Sequence, residues 1–278
     1  MSMLVCITTF RKNLALEVLL QSLLDNGYKD IHVADDNSNK PDKTGKTALE
    51  ICEKFRGRLN ITFAYNEKSS MLGVAKNKNR NLRFFFENKQ FDRVLLLDDD
   101  ICILRSDIED HLNSIKDEFG LEHISGYWTD EDAHLTQKLT GLTGNPWEMD
   151  FPVIMQNKSV NWHSGGVQGC FVTCTRELAE KAMYFKNDWH SGYGAEHSQW
   201  SARLNMLTGW SPTLFPSLRY SSRYLRGQNI PNDYAISHEK IELNMTQYHE
   251  SLKSIERGLD LKEENHGLPK KGEKSVCL

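Results

Sequence analysis

The 278-residue sequence has no apolar run long enough to cross a bilayer: stretches such as Phe84 to Phe86 and Val94 to Leu97 are a few residues each, against the ~20 that a spanning helix needs. The first fifteen residues also lack a basic stretch followed by an apolar one, so neither a secretory signal nor a membrane partner is expected. Cysteine is sparse and unpatterned. Cys6, Cys52, Cys102, Cys170, Cys174 and Cys277 form no C-x-x-C pair and sit mostly among apolar neighbours, as reduced core thiols do. This argues against a disulfide-stapled secreted domain and for a reducing, cytoplasmic setting. In that setting the sequons at Asn60, Asn157 and Asn244 carry no information. Neither charge sign dominates: 34 Lys+Arg face 38 Asp+Glu, a net charge of -4, which excludes a global attraction to nucleic acid or anionic lipid. With 39% hydrophobic and 26% charged residues, collagen-like, coiled-coil and wholly disordered chains are excluded as well.

The remaining pattern is that of an α/β protein with a mostly parallel central sheet flanked by helices. Met3 to Thr9 reads as a strand, Leu16, Leu19, Leu20, Leu23 and Leu24 as one face of a helix closed by Asn26-Gly27, and Ile31 to Ala34 as a second strand. A helix over about Thr44 to Phe55, a strand at Asn60 to Tyr65 and a helix over about Gly73 to Glu87 follow. Val94 to Leu97 shows no alternation, which predicts a strand buried on both faces, in the middle of a parallel sheet. A helix over about Asp107 to Phe119 and a strand over about His123 to Tyr127 complete this regular half. Beyond it, an irregular half holds a strand at Cys170 to Cys174 and helices at Arg176 to Tyr184, Ala195 to Leu207 and Glu239 to Arg257. We expect one domain over residues 1–258, with halves at 1–128 and 129–258, and a mobile Lys/Glu/Gly-rich tail over 259–278.

Chemistry concentrates at the strand ends. Asp98-Asp99-Asp100 follows the most apolar strand, and in open parallel sheets ligands bind beyond the carboxyl ends of the strands. Three adjacent carboxylates there repel one another unless a cation joins them, and alternation puts Asp98 and Asp100 on one side with Asp99 elsewhere. Asp35-Asp36 closes a neighbouring strand, with Thr8, Thr9 and Arg11 at the end of the first, so three strand ends converge on one cleft. Lys76 and Arg80 open a basic helix suited to diphosphate oxygens, whereas Lys78 reads as part of a solvated face. Thr44-Gly45-Lys46-Thr47 is not a P-loop, because the first glycine of that motif would fall at Lys40.

These residues resemble a family. Ile7-Thr8-Thr9-Phe10-Arg11, Asp35-Asp36-Asn37-Ser38, Gly73 through Arg80-Asn81 and Leu97-Asp98-Asp99-Asp100 together are similar to the nucleotide-binding half of a GT-A glycosyltransferase of the family-2 type. Gly165-Gly166-Val167-Gln168-Gly169, then Trp189 through His197 and Arg203-Leu204, resemble a galactosyltransferase-like acceptor region in which a Gly-aromatic-Gly-x-Glu-Asp motif opens a helix. The resemblance implies a nucleotide-sugar donor, with Thr8, Thr9 and Asp35 around its base and Asp98 towards its ribose. It further implies Asp100 on a Mn²⁺ or Mg²⁺ that bridges the diphosphate. Glu196 is then the candidate base for an inverting transfer. His197 stands where the pattern has a second acid, so a His-assisted base remains an option. His238 is the candidate third metal ligand. Gly166, Trp162, Trp189 and Tyr193 belong with the acceptor, the three aromatic rings as stacking surfaces, whereas Trp200, Leu204 and Leu207 repeat at helical spacing and read as core.

The acceptor is open: a glycan, a protein, a small molecule, or a hydroxymethylated base in DNA. The last follows from Arg219-Tyr220, Arg223-Tyr224 and Arg226, where cations alternate with aromatics as phosphate contact and base stacking require. Nucleotidyl transfer and a nonenzymatic sugar-nucleotide-binding module are the competing readings of the same carboxylates.

Overall fold

The computed structural model of the chain describes residues 2–68, 72–103, 106–120, 122–128, 170–184, 196–208, 213–221 and 272–278. The four apolar runs of the first half form its centre. Strands β1 (Met3–Thr9), β2 (Asp30–Asp35), β3 (Asn60–Asn66) and β4 (Arg93–Asp98) lie parallel in the order β4-β1-β2-β3, alternating along the chain with helices α1 (Asn13–Asp25), α2 (Ala48–Glu53) and α3 (Val74–Glu87). Next come β5 (Cys102–Ile103), α4 (Ile108–Phe119), β6 (His123–Trp128), β7 (Phe171–Thr175), α5 (Arg176–Ala182), α6 (Glu196–Thr208), β8 (Thr213–Ser221) and β9 (Glu273–Cys277). All nine described strands share one sheet, ordered β5-β8-β6-β7-β4-β1-β2-β3-β9.

The expected parallel centre is present, but the sheet as a whole is mixed. β7 joins β4 and β6 antiparallel, β9 joins β3 antiparallel, and β6 and β8 run parallel. Between β6 and β8 the register jumps from Gly126↔Phe215 to Tyr127↔Arg219, leaving Pro216-Ser217-Leu218 as a bulge. A proline has no N–H for the ladder, which makes this the natural place for the break.

Alternation along the central strands decides what each face meets. Val5, Ile7, Leu95 and Leu97 pack with Leu16, Leu19, Leu20 and Leu23 of α1 and Ile108 and Leu112 of α4. Leu4, Cys6, Val94 and Leu96 pack on the other face with Leu82 and Phe85 of α3 and with Trp200 and Leu204 of α6, the latter pair being core as expected. Asp98 therefore belongs to the face covered by α3 and α6, and Asp99 to the face of α1.

Two expectations are corrected. The helix expected from Thr44 starts only at Ala48, because Thr47 forms a capping box: its hydroxyl accepts from the Glu50 N–H at 3.1 Å while the Glu50 carboxylate accepts from the Thr47 N–H at 2.6 Å. The end of the expected mobile tail is a strand. Residues 273–277 form β9 against the β3 edge, and Leu278 packs into the core on the α1 face with its N–H donating to the Ile61 carbonyl at 2.9 Å. Average composition hid this strand, since backbone pairing with an open edge requires little apolar content.

Candidate active site

The ends of β1, β2 and β4 come together because their registers align, Thr8 opposite Asp98 and Thr9 opposite Asp35. Asp99 ties two of these ends. One of its oxygens accepts from the Thr9 hydroxyl at 2.7 Å and from the Phe10 N–H at 3.1 Å, and burial raises its pKa above the usual carboxylate value. Asp98 and Asp100 remain 34% and 41% exposed, so these are the two carboxylates open to a ligand.

Asp35 and Asp36 shape the rim. Asp35 is buried and accepts from the N–H groups of Asn37 at 2.9 Å and Asn39 at 2.6 Å, holding Ser38 and Asn39 in the left-handed region. Desolvation lifts its pKa to about 6, and the two N–H bonds oppose that rise. Asp36 accepts from the N–H groups of Leu72 at 2.8 Å and Gly73 at 2.9 Å, which fixes the start of α3. Gly73 has φ +100°, a conformation that excludes most other residues. Arg11 reaches this rim, its Nε donating to Asn37 Oδ1 at 3.0 Å.

The polar residues of α3 turn inward. Asn77 Nδ2 donates to the Ala34 carbonyl at 2.7 Å, and Asn81 Nδ2 donates to the Ile7 carbonyl at 3.2 Å and to Thr8 Oγ1 at 3.1 Å, so one turn of helix closes the buried ends of β1 and β2. Lys76 is partly exposed. Two cations of α3 are buried here. Arg80, expected to hold diphosphate, is 4% exposed and donates to the Asp35 carbonyl at 2.9 Å and to Asn77 Oδ1 at 3.0 Å. Lys78, expected on a solvated face, is fully buried and pairs with Asp98 at 3.1 Å. Its helical position explains why: Ala75, Lys78, Leu82 and Phe85 form one stripe, and that stripe packs on the sheet.

The second half enters the site at the start of α6. Glu196 is 6% exposed, and its Oε1 lies 3.2 Å from His197 Nε2, which in turn contacts the Lys78 ammonium. Asp98, Lys78, His197 and Glu196 therefore form one continuous polar chain on the α3 side of the sheet. Burial and the Lys78 charge hold the His197 pKa well below its ordinary value, so the imidazole is neutral at pH 7. Lys12, which sequence reasoning missed, ion-pairs with Asp100 at 2.6 Å. Burial alone would lower its pKa, but Asp99 and Asp100 overcome this and raise it. The signal was its position just before the first helix, beside Arg11. Trp162, Gly166, Trp189, Tyr193 and His238 lie outside the described residues.

Among the described residues no three His, Cys, Asp or Glu side chains form a metal cluster. Asp98 and Asp100 nevertheless fit a hard divalent ion, since Mg²⁺ and Mn²⁺ sites of this type use one or two carboxylates and take their remaining ligands from phosphates and water. The Lys12 ammonium on Asp100 shows that the position attracts a cation.

A sheet with a parallel centre and carboxylates at the ends of its central strands is the architecture of the GT-A class. The sequence profile described as Glycosyl transferase family 2 matches residues 4–182. The chain belongs to that family and is a glycosyltransferase, which answers the alternatives of nucleotidyl transfer and a nonenzymatic module. No curated protein matches the sequence significantly. Among solved structures, S. aureus TarS 1-349 in complex with UDP-GlcNAc is similar with a TM-score of 0.59 at 17% identity, over 93% of this chain and 71% of that one. The mannosyltransferase PcManGT from Pyrobaculum calidifontis, in complex with GDP-Man and Mn2+, gives a TM-score of 0.54 at 14% identity over 95% and 76%. Identities this low establish a shared fold. No helix among the described residues is long and apolar enough to cross a membrane.

Proposed function

We propose that this glycosyltransferase moves a sugar from a uridine diphosphate donor to an acceptor hydroxyl with inversion, Glu196 acting as the base. The observation that carries this reading is the polar chain from Asp98 to Glu196, which puts the donor-side carboxylate and a buried glutamate in one cluster. Glu196 lies beyond the stretch matched by the family profile, so its role rests on this geometry. Glu196 takes the acceptor proton as the acceptor oxygen forms its bond to the anomeric carbon, and the bond from that carbon to the diphosphate oxygen breaks. A Mn²⁺ or Mg²⁺ held by Asp100, with Asp98 beside it, stabilises the charge on the departing diphosphate when bound. Lys12 adds a second positive charge there. Asp35 acts on the base through the turn it holds, together with Thr8, Thr9 and Arg11 at the rim, and Lys76 reaches the donor from the exposed side of α3. His238 as third metal ligand, Trp162, Gly166, Trp189 and Tyr193 at the acceptor, and a cytoplasmic setting complete the proposal.

The test is a thermal-shift screen of UDP-GlcNAc, UDP-glucose and GDP-mannose, each with Mn²⁺ and with EDTA. A donor at about 100 times its Kd stabilises the native state by about 2.7 kcal/mol. The reading predicts that UDP-sugars raise the Tm only with metal and that Asp100→Ala abolishes both the shift and turnover. A rise confined to GDP-mannose would replace the uridine assignment, and equal shifts in EDTA would remove the metal.

A further inference from the structure

His197 Nε2 receives two neighbours at once, the Lys78 ammonium and, at 3.2 Å, the Oε1 of Glu196. A ring nitrogen carries at most one proton, so it cannot donate to the carboxylate while accepting from a charged lysine. Lys78 ion-pairs with Asp98 at 3.1 Å and brings its Nζ donors to this point. Nε2 either accepts from Lys78 or donates to Glu196 Oε1, and in both cases the imidazole stands between the lysine of α3 and the carboxylate of α6. The Lys78 side chain is 1% exposed, those of Glu196 and His197 8% and 16%. Water competes poorly for these contacts, and a charge-assisted bond here is correspondingly strong.

We propose that Lys78 and His197 form a bridge between α3 and α6 that positions the Glu196 carboxylate relative to the donor-side Asp98. Lys78 and His197 are positioning residues; neither touches the reacting atoms. This inference rests on the assignment of Glu196 as the base. The bridge also links the donor half to the acceptor half, because α3 closes the ends of β1 and β2 while α6 carries the base. A base displaced by about 1 Å loses on the order of a hundredfold in rate, so a positioning role is visible in kcat.

The experiment combines a mutant cycle with a spectrum. Turnover of UDP-GlcNAc with Mn²⁺ and UDP affinity by calorimetry are measured for wild type, His197→Gln, Glu196→Asp, the double variant and Glu196→Gln. Positioning predicts that His197→Gln lowers kcat at least about tenfold with UDP affinity within about threefold, and that in the Glu196→Asp background the same change costs little, because coupled residues are non-additive. Equal losses in both backgrounds overturn the bridge and leave the base assignment standing. Full turnover in Glu196→Gln overturns the base assignment, and the positioning role with it.

The imidazole ¹⁵N spectrum needs no substrate and still decides the contact where a variant folds poorly. The groups facing this ring are Lys78 from α3, Glu196 from α6 and His123 from β6, with Asp98 of β4 behind Lys78. The signal is assigned by its absence in His197→Gln. A wild-type His197 that titrates below the ordinary ~6.5, and whose pKa rises in Lys78→Met while burial still holds it low, supports the bridge. Titration near that value in wild type overturns it.

Discussion

Burial keeps several imidazoles of this protein neutral, and their cost appears only in acid. His32 is 2% exposed, stacks on Phe84 with ring centroids 4.2 Å apart and meets Asn81 Oδ1 at 2.6 Å; desolvation lowers its pKa from 6.5 to about 4. His123 is lowered by burial to about 3. As the pH falls below 6.5 the unfolded chain takes up a proton at His32 that the folded one refuses until about pH 4. Stability from this group is therefore complete above pH 6.5 and is lost as the pH falls towards 4. At roughly 1.4 kcal/mol per pH unit, His32 accounts for about 3 kcal/mol of that loss. Denaturant unfolding of wild type and His32→Gln between those limits checks this: the variant shows a shallower decline, and an unchanged slope would place the titration elsewhere. At this scale the sequence was half legible. The alternation that separates Asp98 from Asp99 was readable, as was Glu196 at the start of its helix. Lys78 and Arg80 are both buried, which their places on α3 decide and their charge does not. Lys12 was overlooked because a lone basic residue before a helix has no partner in the sequence, and its carboxylate arrives from Asp100 only in the fold.

At the scale of elements, the short β9 strand matters beyond its size. Glu273 lies beside Arg83 in a half-buried ion pair, and Arg80 Nε lies 4.0 Å from the same oxygen, so the last strand of the chain steadies the helix that closes the donor side. Removing one partner of such a pair costs about 3 kcal/mol. Glu273→Gln is therefore expected to lower the denaturation midpoint, and deletion of residues 272–278 to lower it further and to promote aggregation through the bared β3 edge. A truncated protein with wild-type midpoint would contradict this. Thr47→Ala, which breaks the capping box of α2, is expected to cost about 1 kcal/mol in the same assay. Strands β1 to β4 were legible because each is a buried apolar run between helices. β5 and β9 were not, since a short strand at a sheet edge owes its existence to the neighbour it pairs with.

For the molecule as a whole, the sheet is the support on which two groups of residues meet. In the proposed function the donor side comes from the ends of β1, β2 and β4 and the base arrives with α6; the chain Asp98-Lys78-His197-Glu196 joins them. This long-range meeting was only partly foreseeable, because residues 78 and 197 have no local relation and the packing of two helices on one sheet face brings them together. The central claim is that the open carboxylates at the end of β4 bind a nucleoside diphosphate through a divalent cation. Titration calorimetry of UDP into wild type and Asp100→Ala, each with Mn²⁺ and with EDTA, tests it most directly. Mn²⁺ is expected to tighten UDP binding to wild type by at least about tenfold, roughly 1.4 kcal/mol, with no such gain in Asp100→Ala. Equal UDP affinity under all four conditions would contradict it.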